Sequence, residues 1–362
     1  MGLFNMIFNK KPIQTYSDFW QWFQLNEKKF YKSLKHEGDI NKVFFDKLAP
    51  KLNELKDGYW FLAGMFDDDT AELIITADGM IKNIVFVEEL VDAAPEMKNW
   101  KITALKQPTL DNSYSIELDG YSFDETTMMF YPNEITNCPD EIDITIAHKD
   151  LDDENRTSII SGVYLALENS LGELNFATSI DSLNVISYEE AQSELIHIEK
   201  LKSYLTWREK EFIEKYKGLI HNTEDDNYSG MKFKLKNGRE IIASVNSDLL
   251  KWDKKGSHPW IVVLRFKYNG EENEGMPNTE IYKFLDHIED EIMLQLKDSE
   301  GYLNIGRQTG DNLRELFIAC SEFRKPSKEL YKIQNKYSNK IDFNFEIFKD
   351  KYWQTFDKFS AN

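Results

Sequence analysis

The stretch from residue 231 to 347 fixes the order of its elements more tightly than any other part of the chain. Residues 231–235 and 240–245 flank Asn237-Gly238, a hairpin signal because both residues tolerate positive φ. Residues 260–268 open apolar on both faces, as a central strand does, and end at Asn269-Gly270. After Pro277 comes a helical pattern, with Ile281, Phe284, Leu285, Ile288, Ile292 and Leu296 on one side and Asp286, Glu289 and Asp290 on the other. Residues 302–308 and 313–320 read as strands paired across Thr309, Gly310 and Asp311. Pro326 then opens a helix carrying Leu330, Ile333 and Tyr337, and Ile341, Phe343, Phe345 and Ile347 alternate with polar residues as a last strand. In order this is β-α-β-β-α-β, the split βαβ or ferredoxin-like arrangement, preceded by a hairpin. Tyr352, Phe356 and Phe359 form an amphipathic end expected to pack back on it.

The residues before it read as a second α+β region. One helix starts near Ser17 and gathers Phe19, Phe23, Phe30 and Leu34, with Trp20 and Trp22 taken as core rather than as a ligand box. Another starts near Asp39 and carries Ile40, Phe44, Leu48, Leu52 and Leu55, with a kink or split expected at Pro50. Strands follow at 59–66, 72–77, 100–106, 113–118, 127–131, 141–147 and 183–186, and helices at 84–94 and 158–171. In 141–147, Ile142, Ile144 and Ile146 alternate with Asp143 and Thr145, the pattern of a half-buried strand. Residues 188–217 read as one long helix with Leu195, Ile198, Leu205, Phe212 and Tyr216 along a stripe.

Charge divides the chain at the same place. Residues 1–195 hold 16 Lys and Arg against 35 Asp and Glu, whereas 196–362 are neutral, so the whole net charge of −19 lies in the first part. A chain of 362 residues favours two domains. The expected organisation is an acidic α+β domain at 1–190, a connecting helix at 191–218 and a neutral ferredoxin-like domain at 219–362, each domain a mainly antiparallel sheet with helices on one face. This acidity argues against nucleic acid as a direct ligand, although the neutral part has room for a local basic patch. Cys138 and Cys320 fall in different expected domains and read as reduced thiols, which fits a cytoplasmic protein. The apolar cluster at Leu3, Phe4, Met6, Ile7 and Phe8 precedes its lysines and is too short for a signal peptide, and Met6 stands where a myristoylation signal after Gly2 wants Ser or Thr. No run approaches the ~18 apolar residues of a membrane span.

With Asn246 in the hairpin, His258-Pro259-Trp260 leading a strand, Gly275-Met276-Pro277 before a helix and Arg314-Glu315-Leu316 in a late strand, residues 207–359 resemble the bacterial family of domain of unknown function 695. Members of that family are sometimes fused to a domain similar to a regulator of ribonuclease activity, an inhibitor that acts by binding an enzyme. No such additional domain is recognisable in this sequence, and the resemblance brings no catalytic residues with it.

Chemical motifs are sparse. Asp67-Asp68-Asp69 and Asp152-Asp153-Glu154 offer oxygen ligands but lack the alternating spacing and glycine of a calcium loop, and Glu189-Glu190 offers less. None of His36, His148, His197, His221, His258 and His287 stands at zinc spacing, so no metal and no cofactor is expected. His258 reads as a turn residue and Cys320 as a buried structural thiol rather than a nucleophile. No nucleophile elbow, phosphate loop or dinucleotide fingerprint occurs, and the glycines from Gly306 to Gly310 read as a tight hairpin. Spacing alone does not exclude paired catalytic carboxylates. The expected function is therefore a non-catalytic interaction or regulatory protein, with no catalytic residue assigned. The sharper form is an inhibitor or immunity protein that meets a basic effector through Asp67, Asp68, Asp69, Asp152, Asp153 and Glu154 of the N-terminal domain. The alternative is a hydrolase whose carboxylates converge between the two domains.

Overall fold

A computed structural model describes residues 12–36, 39–109 and 115–360, so the apolar cluster at residues 3–8 and the start of the strand expected at 113 lie outside the described residues. The chain is α+β and divides into two compact units. Met1–Tyr131 and Ile144–Lys202 form the first, and Pro132–Asp143 and Ser203–Asn362 the second.

Among the described residues the first unit begins with α1 (Tyr16–Lys35), capped by Thr15 rather than by Ser17. The Thr15 hydroxyl accepts from the Asp18 amide at 3.1 Å and the Asp18 carboxylate accepts from the Thr15 amide at 3.1 Å, a reciprocal capping box. Phe19, Trp20, Trp22, Phe23 and Phe30 are buried, and Trp20 donates to the Leu90 carbonyl at 2.7 Å, so the aromatic cluster is core as expected. The next helix departs from its expected form. A π-turn at Asn41–Phe45 leads into α2 (Asp46–Leu55), which runs unbroken through Pro50. The bond that Pro50 cannot donate would have gone to the carbonyl of Asp46, the first residue of α2, so it is missing from the opening turn and not the middle.

Strands β1 (Trp60–Met65) and β2 (Ala71–Thr76) are antiparallel. From β2 the chain passes through α3 (Ile81–Asp92) to β3 (Trp100–Ala104), which lies parallel to β2 as a βαβ crossover. A small hairpin, β4 (Ile116–Leu118) and β5 (Tyr121–Phe123), stands apart. The third sheet combines β6 (Met128–Asn133), β7 (Asp143–His148), β8 (Ser182–Ser187) and β9 (Ile196–His197) in the order β8-β7-β6-β9, with α4 (Arg156–Leu171) and α5 (Glu173–Ser179) between β7 and β8. The described strands before residue 200 thus form three sheets and include a parallel pair, where one mainly antiparallel sheet was expected. β7 is interior to its sheet, so it is buried on both faces, Thr145 and Ala147 included, instead of half-buried.

The long helix expected over 188–217 is shorter. Only α6 (Leu201–Tyr216) is α-helical, preceded by a 3-10 turn at Ile198–Lys200. Before it, the Glu190 carboxylate accepts from the Ser187 amide at 2.9 Å to close a turn, and Tyr188, Ala191 and Leu195 pack on Tyr131, Ala147 and Ile186. Ile196 and His197 then pair with β6, so the charge step falls at an edge strand rather than inside a helix.

In the second unit, six strands form one antiparallel sheet: β10 (Tyr228–Lys234), β11 (Glu240–Asn246), β12 (Trp260–Lys267), β13 (Tyr302–Gly310), β14 (Leu313–Cys320) and β15 (Asp342–Lys349). Their order is β10-β11-β13-β14-β12-β15. A short α7 (Ser247–Lys251) follows β11, α8 (Thr279–Gln295) links β12 to β13, and α9 (Arg324–Tyr337) links β14 to β15. On one face Ile261, Val263, Leu303, Ile305 and Phe317 pack with Trp353, Phe356 and Phe359, so the amphipathic end does fold back on the sheet. On the other face Trp260 meets Phe323, at the start of α9, at 4.8 Å. Residues 132–143 belong to this unit, which places both cysteines in it. Both thiols are free and buried, and burial raises the pKa of each.

Candidate functional site

Both acidic runs lie in turns of the first unit. Between β1 and β2, the Asp67 carboxylate accepts from the amides of Asp69 at 2.8 Å and Thr70 at 2.7 Å, and these bonds hold its pKa below the ordinary carboxylate value. Asp69 pairs with Lys35 at 2.8 Å, while its carbonyl accepts from Tyr31 at 3.0 Å and Asn99 at 2.6 Å. Ahead of α4, the Asp152 carboxylate accepts from the amides of Glu154 and Asn155, both at 2.9 Å. All six side chains are exposed, and among the described residues those of Asp68, Asp153 and Glu154 make no hydrogen bond or ion pair. No bond joins one run to the other among those residues. No group of three or more His, Cys, Asp or Glu among the described residues could hold a metal ion.

The second unit carries its polar chemistry inside. Arg314 is 1% exposed on β14, in the alternation that also turns Leu316 and Ile318 inward. Its Nε donates to the Thr309 hydroxyl at 3.0 Å, its Nη1 to Asp286 at 2.7 Å, and its guanidinium lies 4.6 Å from the Tyr282 ring centroid. The remaining Nη2 is buried without a partner. Arg307 on β13 joins the group, bonding Asp286 at 3.1 Å, Glu289 at 2.6 Å and the Tyr282 hydroxyl at 3.1 Å. Asp286 and Glu289, expected on the open side of α8, therefore turn toward two arginines. The sequence signal was an arginine in an otherwise apolar strand alternation, facing carboxylates three residues apart on a helix.

The other motif residues also hold the backbone in place. Asn246 is fully buried; its carbonyl oxygen accepts from the amides of Asp248 and Leu249, and its amide donates to Asp226, which in turn engages His221 at 2.9 Å. His258 is fully buried, with Nδ1 2.8 Å from the Ser257 hydroxyl and Nε2 unpartnered, and burial pushes its pKa down to about 4. Gly275 has φ +85°, and a Cβ there would stand 2.9 Å from the Asp311 Cα. Its carbonyl accepts from the Asn312 amide at 2.8 Å and the Tyr268 hydroxyl at 3.0 Å, tying the loop after β12 to the turn after β13.

Residues 231–360 match the family described as Family of unknown function (DUF695), which bears out the resemblance seen in Asn246, His258, Gly275 and Arg314 and their neighbours. No curated protein and no solved structure matches the chain. No described helix is long and apolar enough to cross a membrane.

Proposed function

We propose that this is a non-catalytic interaction or regulatory protein, of the inhibitor or immunity kind, whose first unit meets a basic protein partner. One observation carries the reading: of the six carboxylates only Asp69 is paired, with Lys35, and among the described residues the other five present their charge without a cationic partner. Asp67 and Asp152 are oriented by backbone amides, which fix a carboxylate without cancelling its charge, and Asp68, Asp153 and Glu154 have no partner among the described residues. A surface of this kind accelerates encounter with a cationic protein and repels nucleic acid. On this reading the two compact units are two domains of a cytoplasmic protein. The order β13-β14-β12-β15 with α8 and α9 supports a ferredoxin-like second domain extended by the β10–β11 hairpin. The two free, buried thiols fit a reducing compartment.

The test is affinity capture with the wild-type chain and with a variant neutralised at Asp67, Asp68, Asp69, Asp152, Asp153 and Glu154. A basic protein that is enriched by the first, lost with the second and released by moderate salt supports the reading. An unchanged set of captured proteins overturns it.

A further inference from the structure

The acidic unit contains a cleft of the opposite character. Lys28, Lys32 and Lys35 from the last turns of α1, Lys98 from the approach to β3, and the rings of Tyr31 and Trp100 line a space of about 550 Å³. That size falls within the roughly 300–1,000 Å³ of small-molecule sites. Of the 16 Lys and Arg in residues 1–195, four meet here, although carboxylates outnumber bases more than twofold over the same stretch. Among the described residues Glu27 is the one carboxylate on its wall. Lys35 is satisfied by Asp69 at 2.8 Å, but among the described residues the ammonium groups of Lys28, Lys32 and Lys98 have no ion pair or hydrogen bond. The C-terminal pole of α1 disfavours an anion, and the lysines of its last turn offset that pole.

The walls are fixed. Trp100 packs edge-on against Phe23 at 5.0 Å and stacks on Phe44 at 6.3 Å. Tyr31 donates its hydroxyl to the Asp69 carbonyl at 3.0 Å, and Asn99 donates to the same oxygen at 2.6 Å. The β1–β2 turn therefore braces the side of the cleft, and the acidic run at 67–69 has a structural duty toward it.

We propose that this cleft binds a small anion carrying a flat ring, the chemistry of a phosphorylated nucleoside, with Lys32 and Lys98 holding the phosphate and Tyr31 beside the ring. Three ammonium groups without a partner among the described residues supply charge-assisted donors, and a preformed aromatic wall receives a ring at little entropic cost. Isothermal titration of the full chain with AMP, adenosine and inorganic phosphate tests this. AMP is expected to bind saturably and at least about tenfold more tightly than either fragment. Lys32→Glu with Lys98→Glu should weaken AMP by about tenfold or more, with the thermal midpoint falling by only about a few degrees, because both side chains are exposed and the one structural loss is the Lys32 charge at the C-terminal pole of α1. Tyr31→Ala should weaken it, whereas Tyr31→Phe, which keeps the ring, should not. No saturable heat with AMP, equal affinity for AMP and either fragment, or AMP binding untouched by the double charge reversal overturns the proposal.

Discussion

At the scale of single residues, Glu173 shows how much one side chain can organise. It is 1% exposed, and its carboxylate accepts from the Thr76 hydroxyl at 2.6 Å and from the amides of Ala77, Gly79 and Lys106 at 3.0 to 3.1 Å. It thereby ties the ends of β2 and β3 to the start of α5. Removing it leaves four donors unpaired, those of Thr76 and Ala77 buried and that of Lys106 half-buried, so Glu173→Ala should cost about 3–5 kcal/mol in urea unfolding. Glu173→Gln keeps the shape but sets one amide NH2 against a donor, and should cost less; an equal or smaller loss for the alanine variant would sink this account. Nothing local marks Glu173 in the sequence, because its partners lie 67 to 97 positions away. His258 gives a pH prediction. Its folded pKa is depressed to about 4, so the unfolded chain takes up a proton near pH 6.5 while the folded chain does not. Its contribution is whole above pH 6.5 and declines as pH falls toward 4, by up to about 1.4 kcal/mol per pH unit. The stability difference between wild type and His258→Gln should therefore shrink over that window, and a flat difference would count against burial as the cause.

At the scale of elements, strands β12 and β15 and helices α8 and α9 were legible because their apolar periods are long and their punctuation is strong. Asn237-Gly238 was legible for the same reason, with Gly238 at φ +87°. The β13–β14 connection was placed too early, since Gly310 pairs with Leu313 and the turn is Asp311-Asn312, both with positive φ (52° and 66°). That geometry suits a two-residue hairpin, but Asp-Asn announces it less plainly than Asn-Gly. Gly306 has a different task from the one its spacing suggested. It sits at the register shift after Asn304 with φ +139°, and a Cβ would lie 2.3 Å from the Ser244 carbonyl oxygen of the neighbouring strand. Gly306→Ala should thus separate β11 from β13 and cost about 2–4 kcal/mol, whereas Gly238→Ala, with open space around its Cβ, should cost about 1. Equal costs in denaturant titrations would show that conformation alone, not close approach, keeps glycine at 306. Residues 188–198 misled because Leu195 and Ile198 fit a helical stripe equally well when they flank an edge strand, Leu195 just before it and Ile198 at the start of the 3-10 turn after it. The three-sheet division before residue 200 was illegible for a related reason, since a strand's pattern does not name its pairing partner.

At the scale of the whole molecule, the charge step is the property most plainly written in the sequence, and its physical consequence is uneven self-repulsion. Counted by compact unit, the first holds 18 Lys and Arg against 32 Asp and Glu, a net −14, and the second 26 against 31, a net −5, so screening should act on the first unit more than on the second. Raising salt shortens the Debye length from about 30 Å at 0.01 M to about 10 Å at 0.1 M, which removes most repulsion between exposed carboxylates while leaving close pairs such as Lys106 and Glu168, 2.9 Å apart, largely intact. The local opening free energy of the first unit should therefore rise by about 1 kcal/mol, read as roughly fivefold slower amide exchange in β1, β2 and β3. In the six-stranded sheet of the second unit the same change should leave exchange within about twofold, because ion pairs such as Arg265 with Glu315 at 2.9 Å balance its charge locally. Hydrogen exchange followed by mass spectrometry on the intact chain resolves the two responses peptide by peptide. Equal slowing in both units, or slowing confined to the second, would show that the acidic excess is dispersed too widely to strain the fold. It would also weaken the case that the same excess forms a coherent field for a basic partner, because repulsion within the unit and attraction across an interface draw on one potential.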